Sequence, residues 1–507
     1  MLYDNIRFPG DYSLSKDQVE ITTATGQILP VRMGTITELS IFEDIESSAL
    51  TGAMTIIDSS NIISKTPLQG NERLAFKLST PVSSDSEDVV IDASEETGSP
   101  FRIYAITDRH TESETTMTYT IHFCSRELFR STRTRVSKSY EGPLHQTALQ
   151  ILRDENILDS YKNFTYEPTR NTDKIVIPNM RPLDAMNLLC EKALSKNTNG
   201  AGYYFYETTK GFHFRSYESM IAEQGHQPRQ PKLTLNYRPK TASYAINKIL
   251  ENMVNVDSYE FLQHFDTLSQ QAMGTYASKV ITYNIYDKNY SITDYGYHEH
   301  FFRHFHADQR GDQTSRNYHI GDAPVDHDPR YGGSVMGRTG DKTVSDYHES
   351  KIILQGSTRY LHNEDTGVFG TSTENEGLTE AIRISQENQV NNSTRLRVIM
   401  PGHSYLQAGD LVKFNLPSME RNKTDKQAGY IYDEKHSGYY IVAKIRHRVQ
   451  KQEYRMVLEL VKDSVYTPYG TGEANYPSNP PSRLGKNKDL YEVDKSFYAE
   501  GPPGRGY

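Results

Sequence analysis

The sequence predicts a mainly β, multidomain fold with α+β parts: two related antiparallel β-barrel (tube) domains plus small α/β domains. Three observations predict it. Short runs that alternate apolar and polar residues crowd both residues 1–125 and residues 394–461, which is the period of half-buried strands. Two distant segments match each other at one constant separation. The apolar composition is thin in aliphatics and heavy in tyrosine, with 36 Tyr, no Trp and a hydrophobic share of 36% in 507 residues. Tyrosine suits half-buried strands and interfaces, because its ring is apolar and its tip polar. The length suggests about three to five domains. Thin cores suggest stability shared with partner subunits.

Residues 1–125 read as the first β-barrel tube domain. Strands are expected over 27–33, 39–45, 52–58, 73–78, 101–106 and 117–124, and short strands at this spacing make a barrel or sandwich. The acidic, Ser-rich stretch 82–98 reads as a solvated hairpin loop. Residues 126–231 read as an α/β helix–hairpin domain. Leu144, Ala148, Ile151 and Leu152 have helical spacing behind Pro143. Pro182 opens a second helix, where its missing N–H costs nothing. That helix carries the stripe Leu183, Met186, Cys190, Ala193 and Leu194. A hairpin turns around residues 208–210.

Residues 232–262 and 376–465 read as the second β-barrel tube domain, with strands over 396–400, 411–416, 440–445 and 454–460. Between them, 263–375 reads as a polar, Tyr/His-rich insert domain with a clear strand at 280–286. Residues 466–507 hold 6 Pro and 6 Gly in 42 positions. That composition builds no core and reads as an extended Pro/Gly-rich C-terminal arm.

The repeat ties the two barrels together. Leu68-Gln69-Gly70-Asn71-Glu72 and Phe76-Lys77-Leu78 match Leu406-Gln407-Ala408-Gly409-Asp410 and Phe414-Asn415-Leu416 at a separation of 338. Ile103-Tyr104-Ala105 matches Ile441-Val442-Ala443 at the same separation. Four identities in eleven are weak alone, but a shared offset over two segments marks related units. In each copy the chain turns at a Gly close to an acid, runs a strand, and returns through a hairpin.

Several classes fall away. No stretch reaches the roughly 18–20 apolar residues of a membrane helix, and residues 1–12 carry no secretory signal pattern. Two cysteines, Cys124 and Cys190, make neither a disulfide framework nor a cysteine zinc site, and this usage fits assembly in a reducing cytoplasm. The net charge is −9, from 56 basic and 65 acidic residues, which is not that of a dedicated DNA binder.

On these residues the chain resembles the central hub protein of contractile-tail phage baseplates, the T4-like hub family related to the N-terminal hub part of type VI secretion spike proteins. The resemblance spans about residues 39–463. It rests on residues 68–72, Arg181-Pro182-Leu183-Asp184-Ala185, 203–214, 276–295, Met400-Pro401-Gly402-His403-Ser404, 408–412 and 439–462. Order and spacing carry it more than single residues do. The resemblance implies a homotrimeric, pseudo-sixfold ring that adapts the sixfold tail tube to the threefold central spike. It implies as partners the spike protein, tail tube or tube-initiator proteins and surrounding baseplate wedge proteins. It further implies that DNA passes through the lumen without specific binding, and that the place is the virion tail baseplate, assembled in the host cytoplasm. No cofactor, no catalytic residue and no membrane contact is expected.

The competing chemistry is a virion-associated metal-dependent hydrolase using His298, His300, His304 and His306. On a strand, alternate residues share a face, so His298 with His300, or His304 with His306, would chelate together; His319 and His327 lie further on. The helical zinc-protease pattern fails, because position 302 is Phe. The basic run Arg126, Arg130, Arg133, Arg135 and Lys138, with only Glu127 against it, would meet phosphate or, as the stronger reading, form a salt-bridged intersubunit surface. Residues 332–336 miss the nucleophile elbow, and 337–343 lack P-loop spacing. Asn391-Asn392-Ser393 fits a glycosylation pattern that stays idle without secretion.

Overall fold

In the computed structural model of the protein, the strands expected for both barrels merge into one 14-stranded sheet. The structure describes residues 8–15, 18–65, 68–80, 90–96, 99–170, 173–198, 200–222, 229–237, 252–284, 288–308, 344–356, 360–363, 368–371, 376–418, 432–433, 435–451 and 453–464. The arm at 466–507, His319, His327 and the motifs at 332–343 lie outside them. The fold is mainly β, as the alternating runs predict.

The first half of the sheet orders its strands Ile36–Asp44, Thr51–Asp58, Thr116–Cys124, Phe101–Ser113, Arg73–Ala75 and Gln18–Thr22. The second orders Ser258–Gln263, Thr394–Pro401, Tyr454–Lys462, Gly438–Gln450, Leu411–Asn415 and Leu233–Tyr237. The two sequences of pairing run in the same chain order, strand for strand. They differ in the last pair, antiparallel in the first half and parallel in the second.

The duplication reaches individual hydrogen bonds, and these correct the second sequence match by one residue: Ile103 stands where Val442 stands, not Ile441. Asn71 N–H donates to the Ile103 carbonyl and Ile103 N–H to that of Glu72; Gly409 N–H donates to Val442 and Val442 N–H to Asp410. The acid of each turn caps it: Glu72 accepts from Gln69 N at 2.6 Å, Asp410 from Gln407 N at 2.9 Å. Asn71 and Gly409 both hold positive φ, +74° and +84°. Asparagine tolerates that region. At 409 a Cβ would also stand 2.1 Å from the Tyr206 hydroxyl, so glycine is required twice over.

Two separate closed barrels are not what forms. Among the described strands neither half closes on itself, because Gly438–Gln450 serves both. This 13-residue strand pairs along one edge with Tyr454–Lys462. Along the other it pairs first with Leu411–Asn415 and then with Ile36–Asp44. A single apolar core, including Ile41, Met54, Phe123, Val398, Tyr440 and Leu458, follows the sheet.

The loop expected at 82–98 is corrected in part. Val90–Asp92 is a strand paired with Lys77–Ser79, and Ile91 is buried; residues 82–89 lie outside the described ones. The helices Leu144–Arg153 and Pro182–Lys192 stand where their stripes place them, except that the second ends at Lys192, before Ala193 and Leu194 of its expected stripe. The hairpin Tyr203–Thr208 with Gly211–Ser216 is buried on both faces. Tyr203, Phe205, Phe212 and Phe214 face the helices, and Tyr204 and Tyr206 face the second half of the sheet.

The insert contributes the strand Ala277–Asn284, antiparallel to Asn289–Gly296 and parallel to Ile352–Gly356. Tyr286 of the expected strand lies outside the described residues. A 17-residue helix, Glu376–Asn392, was not expected from the sequence and packs on this sheet. No helix among the described residues is long and apolar enough to cross a membrane.

Candidate assembly edge and buried ion clusters

The joint between the halves is an antiparallel pairing of Ile36–Asp44 with Gly438–Gln450, running from Glu38 opposite Gln450 to Asp44 opposite Lys444. Cross-strand ion pairs line its outer face. Lys444 reaches Asp44 at 2.9 Å and Glu46 at 3.2 Å, and Arg446 and Arg448 both reach Glu38. Partial burial pushes the Glu38 carboxyl up, but the bonds from Arg448, Ser40 and Arg446 outweigh it and hold the group below the usual range.

On the inner face sits Glu43, fully buried. One oxygen accepts Thr209 N–H at 2.8 Å and the other Ala408 N–H at 2.8 Å. His447 Nε2 stands 3.6 Å away, too far for a hydrogen bond but close enough to act through charge. One carboxylate therefore ties together the first half, the second half and the α/β hairpin.

The equivalent edges elsewhere have no strand beside them among the described residues. Ser258–Gln263, which stands where Ile36–Asp44 stands, pairs only with Thr394–Pro401. Phe101–Ser113, which stands where Gly438–Gln450 stands, meets Arg73–Ala75 only at Phe101 and Arg102. Its continuation, residues 107–113, is exposed. Each chain thus carries one completed joint and the two separated halves of a second.

The histidine run does not lie on a strand, which corrects the basis for pairing its rings. Residues Tyr297–His300 form a helical turn and Phe301–Arg303 a 3-10 turn; the His298 side chain lies outside the described ones. His300 Nδ1 donates to the Gly296 carbonyl at 2.9 Å, and burial pushes its imidazole down to about 4. His304 Nδ1 meets Glu218 at 2.6 Å, and Gln386 donates to the same oxygen at 2.6 Å.

His306 meets Asp463 through Nδ1 and the Phe301 carbonyl through Nε2, both at 2.7 Å. A carboxylate and a carbonyl only accept, so both ring nitrogens donate and the ring is an imidazolium. Beside it Lys462 meets Asp308 at 2.9 Å with both side chains buried. Lys462 also donates to the carbonyls of Lys435 and Ser437. The segment 301–308 is thereby pinned to the second half of the sheet. Among the described residues no three His, Cys, Asp or Glu side chains converge as metal ligands would.

Three residues of the basic run are engaged within their own chain. Arg126 and Arg130 both reach Asp159, at 3.2 and 3.1 Å, and Lys138 lies over the Tyr140 ring. Glu127 is not their counter-ion. It is buried and bonds Lys162 at 2.8 Å, which also bonds Glu207 at 2.6 Å. Arg133 and Arg135 are exposed. Asn392 ends a helix, and its carbonyl accepts from Gln263 and Gln270.

No protein-family model matches the chain, and no curated protein matches it. Solved structures similar to it include a tail protein from Neisseria meningitidis, at 11% identity and a TM-score of 0.45, covering 90% of this chain and 98% of that one. Another is the 43 kDa tail protein of a prophage of Shewanella oneidensis, at 10% identity and 0.45, covering 89% and 99%. A third is a type VI secretion system component from E. coli, described as structurally similar to T4 bacteriophage tail proteins, at 10% identity and 0.37, covering 93% and 80%.

Proposed function

We propose that this chain is the structural hub of a contractile phage tail baseplate, built as a homotrimeric ring. The observation that supports it best is the joint between Ile36–Asp44 and Gly438–Gln450, together with the two unpaired edges that repeat its halves. If the edge strand Ser258–Gln263 of one copy pairs with residues 107–113 of the next, every joint becomes alike. Such a head-to-tail contact closes into a ring when the rotation per copy divides the circle. A ring of this kind has twice as many similar joints as chains, so three chains give the pseudo-sixfold symmetry that links a sixfold tube to a threefold spike. The number three, the spike, tube and wedge partners, and the place in the virion come from the sequence resemblance.

In this reading DNA passes through the ring without specific binding, and adapting the symmetry is a matter of geometry alone. The hydrolase reading needs His306 free to ligate, and both of its ring nitrogens are engaged, by Asp463 and by the Phe301 carbonyl. Light scattering on the purified chain, alone and with a spike protein, tests the proposal. A particle of three times 57.9 kDa with a six-lobed axial projection is expected. A monomer at micromolar concentration in both samples refutes it.

A further inference from the structure

The internal joint has an apolar seal, and the same place on the outer edges is uncovered. In the internal joint Ile45 follows the edge strand, and its N–H donates to the Ala443 carbonyl at 3.0 Å. Ile45 is buried and belongs to one apolar cluster with Tyr204, Tyr206, Leu411, Ile441 and Ala443. Ala443 is a bulge residue: Val442 faces Leu460 and Lys444 faces Glu459, with 443 passed over.

The first half carries the same bulge. Ile103 faces Phe123 and Ala105 faces His122, passing over Tyr104. Tyr104 therefore occupies the place of Ala443, and it is 50% exposed.

The counterpart of Ile45 follows from the register. Ile106 faces Ile121, which faces Met54, which faces Leu39. Ile445 faces Leu458, which faces Val398, which faces Tyr259. Leu39 and Tyr259 are equivalent, and with the extra residue at Leu262 counted Gln263 stands at Phe42, so Ile45 falls at Asp266. Phe265 is 53% exposed, and Leu268, half a turn into the helix Thr267–Met273, is 82% exposed. Single exposed apolar residues need no explanation. Here Tyr104 stands at the Ala443 position, and the exposed Phe265 and Leu268 flank the Ile45 position, one residue before it and two after.

We infer that Phe265 and Leu268 of one copy cover Tyr104 of the next, sealing the intersubunit joint as Ile45 seals the internal one. This rests on the ring reading above and names the side chains that complete it. Aromatic anchors of this kind carry much of an interface's strength.

The test uses the full chain with Phe265→Cys and Tyr104→Cys together, treated with a short bis-maleimide after assembly. Cys124 and Cys190 are both buried, so background labelling is low. Chains cross-linked into dimers and closed trimers are expected only when both substitutions are present. Replacing Tyr104 by Cys with Val176→Cys, an exposed residue of the α/β part, serves as the collision control and should give none. In parallel, Phe265→Asp should weaken assembly at least tenfold, while Leu354→Asp, on a different exposed sheet, leaves it unchanged. A particle of trimer mass that neither cross-links nor responds to Phe265→Asp overturns the seal and leaves the ring standing. A wild-type chain that stays monomeric overturns both.

Discussion

Replacing Glu43 by Gln probes the centre of the internal joint with the least change of shape. The carboxylate accepts Thr209 N–H with one oxygen and Ala408 N–H with the other, both at 2.8 Å. An amide has one acceptor oxygen, so its NH2 must confront one of these N–H groups. One buried donor then loses its partner, at about 1–3 kcal/mol, and the other exchanges a charge-assisted bond for a neutral one, at about 1 kcal/mol. A loss of about 2–4 kcal/mol is expected. Urea unfolding measures it, and the midpoint should fall by on the order of 1 M. Burial pushes the Glu43 carboxyl up, yet His447, Thr209 and Ala408 together hold it below its ordinary value. A depressed carboxyl contributes stability that is present above its unfolded pKa and lost as pH falls through the folded one. The deficit of Glu43→Gln should therefore be full at pH 7 and shrink in acid. A deficit under about 0.5 kcal/mol, or one that does not change between pH 7 and acid, would refute the reasoning.

Two further outcomes follow from the buried ions. Lys462→Met should destabilise the chain by about 3–5 kcal/mol, because it strands Asp308 in the interior; adding Asp308→Asn should recover part of that loss, measured as a double-mutant cycle. For His306, burial lowers the imidazole pKa, but the charge and bond of Asp463 reverse the effect and raise it. Its contribution is full below the unfolded pKa, about 6.5, and is lost as pH rises through the raised folded value. Proteolysis within residues 301–308 should thus accelerate on the alkaline side in the wild type, and His306→Gln should be cut readily at every pH.

Much of the sheet was legible because its signals are local. The repeat could be read from residues 68–78 and 406–416, since a tight turn needs an acid to cap it and a residue tolerant of positive φ, and both copies keep them. The helix Glu376–Asn392 was not legible for a physical reason. Its buried side includes Thr379, Ser385, Gln386 and Gln389, so hydrogen bonds replace the apolar stripe that reveals a buried helix. The ion clusters were hidden by distance along the chain: His304 finds Glu218, and His306 finds Asp463, 157 residues away. Histidines two apart suggested chelation, whereas the His304 and His306 rings each answer a carboxylate that no local pattern announces. The joint itself was out of reach, because nothing in residues 36–44 says that their partner is 438–450.

That last pairing sets an order of events during synthesis. Asp44 emerges about 400 residues before Lys444, an interval of roughly 20–80 s at 5–20 residues per second. Throughout it, the outer edge of Ile36–Asp44 is a free template for any passing strand, and the pairing of such distant segments is intrinsically slow. The free edge of Ile36–Asp44 can meet residues 107–113 of a finished neighbour, or another nascent chain, before its own partner exists. Wrong pairing between chains on one polysome is thus the characteristic hazard of this architecture. Glu38 and Asp44, charged and unpaired until Lys444, Arg446 and Arg448 arrive, guard the strand while it waits.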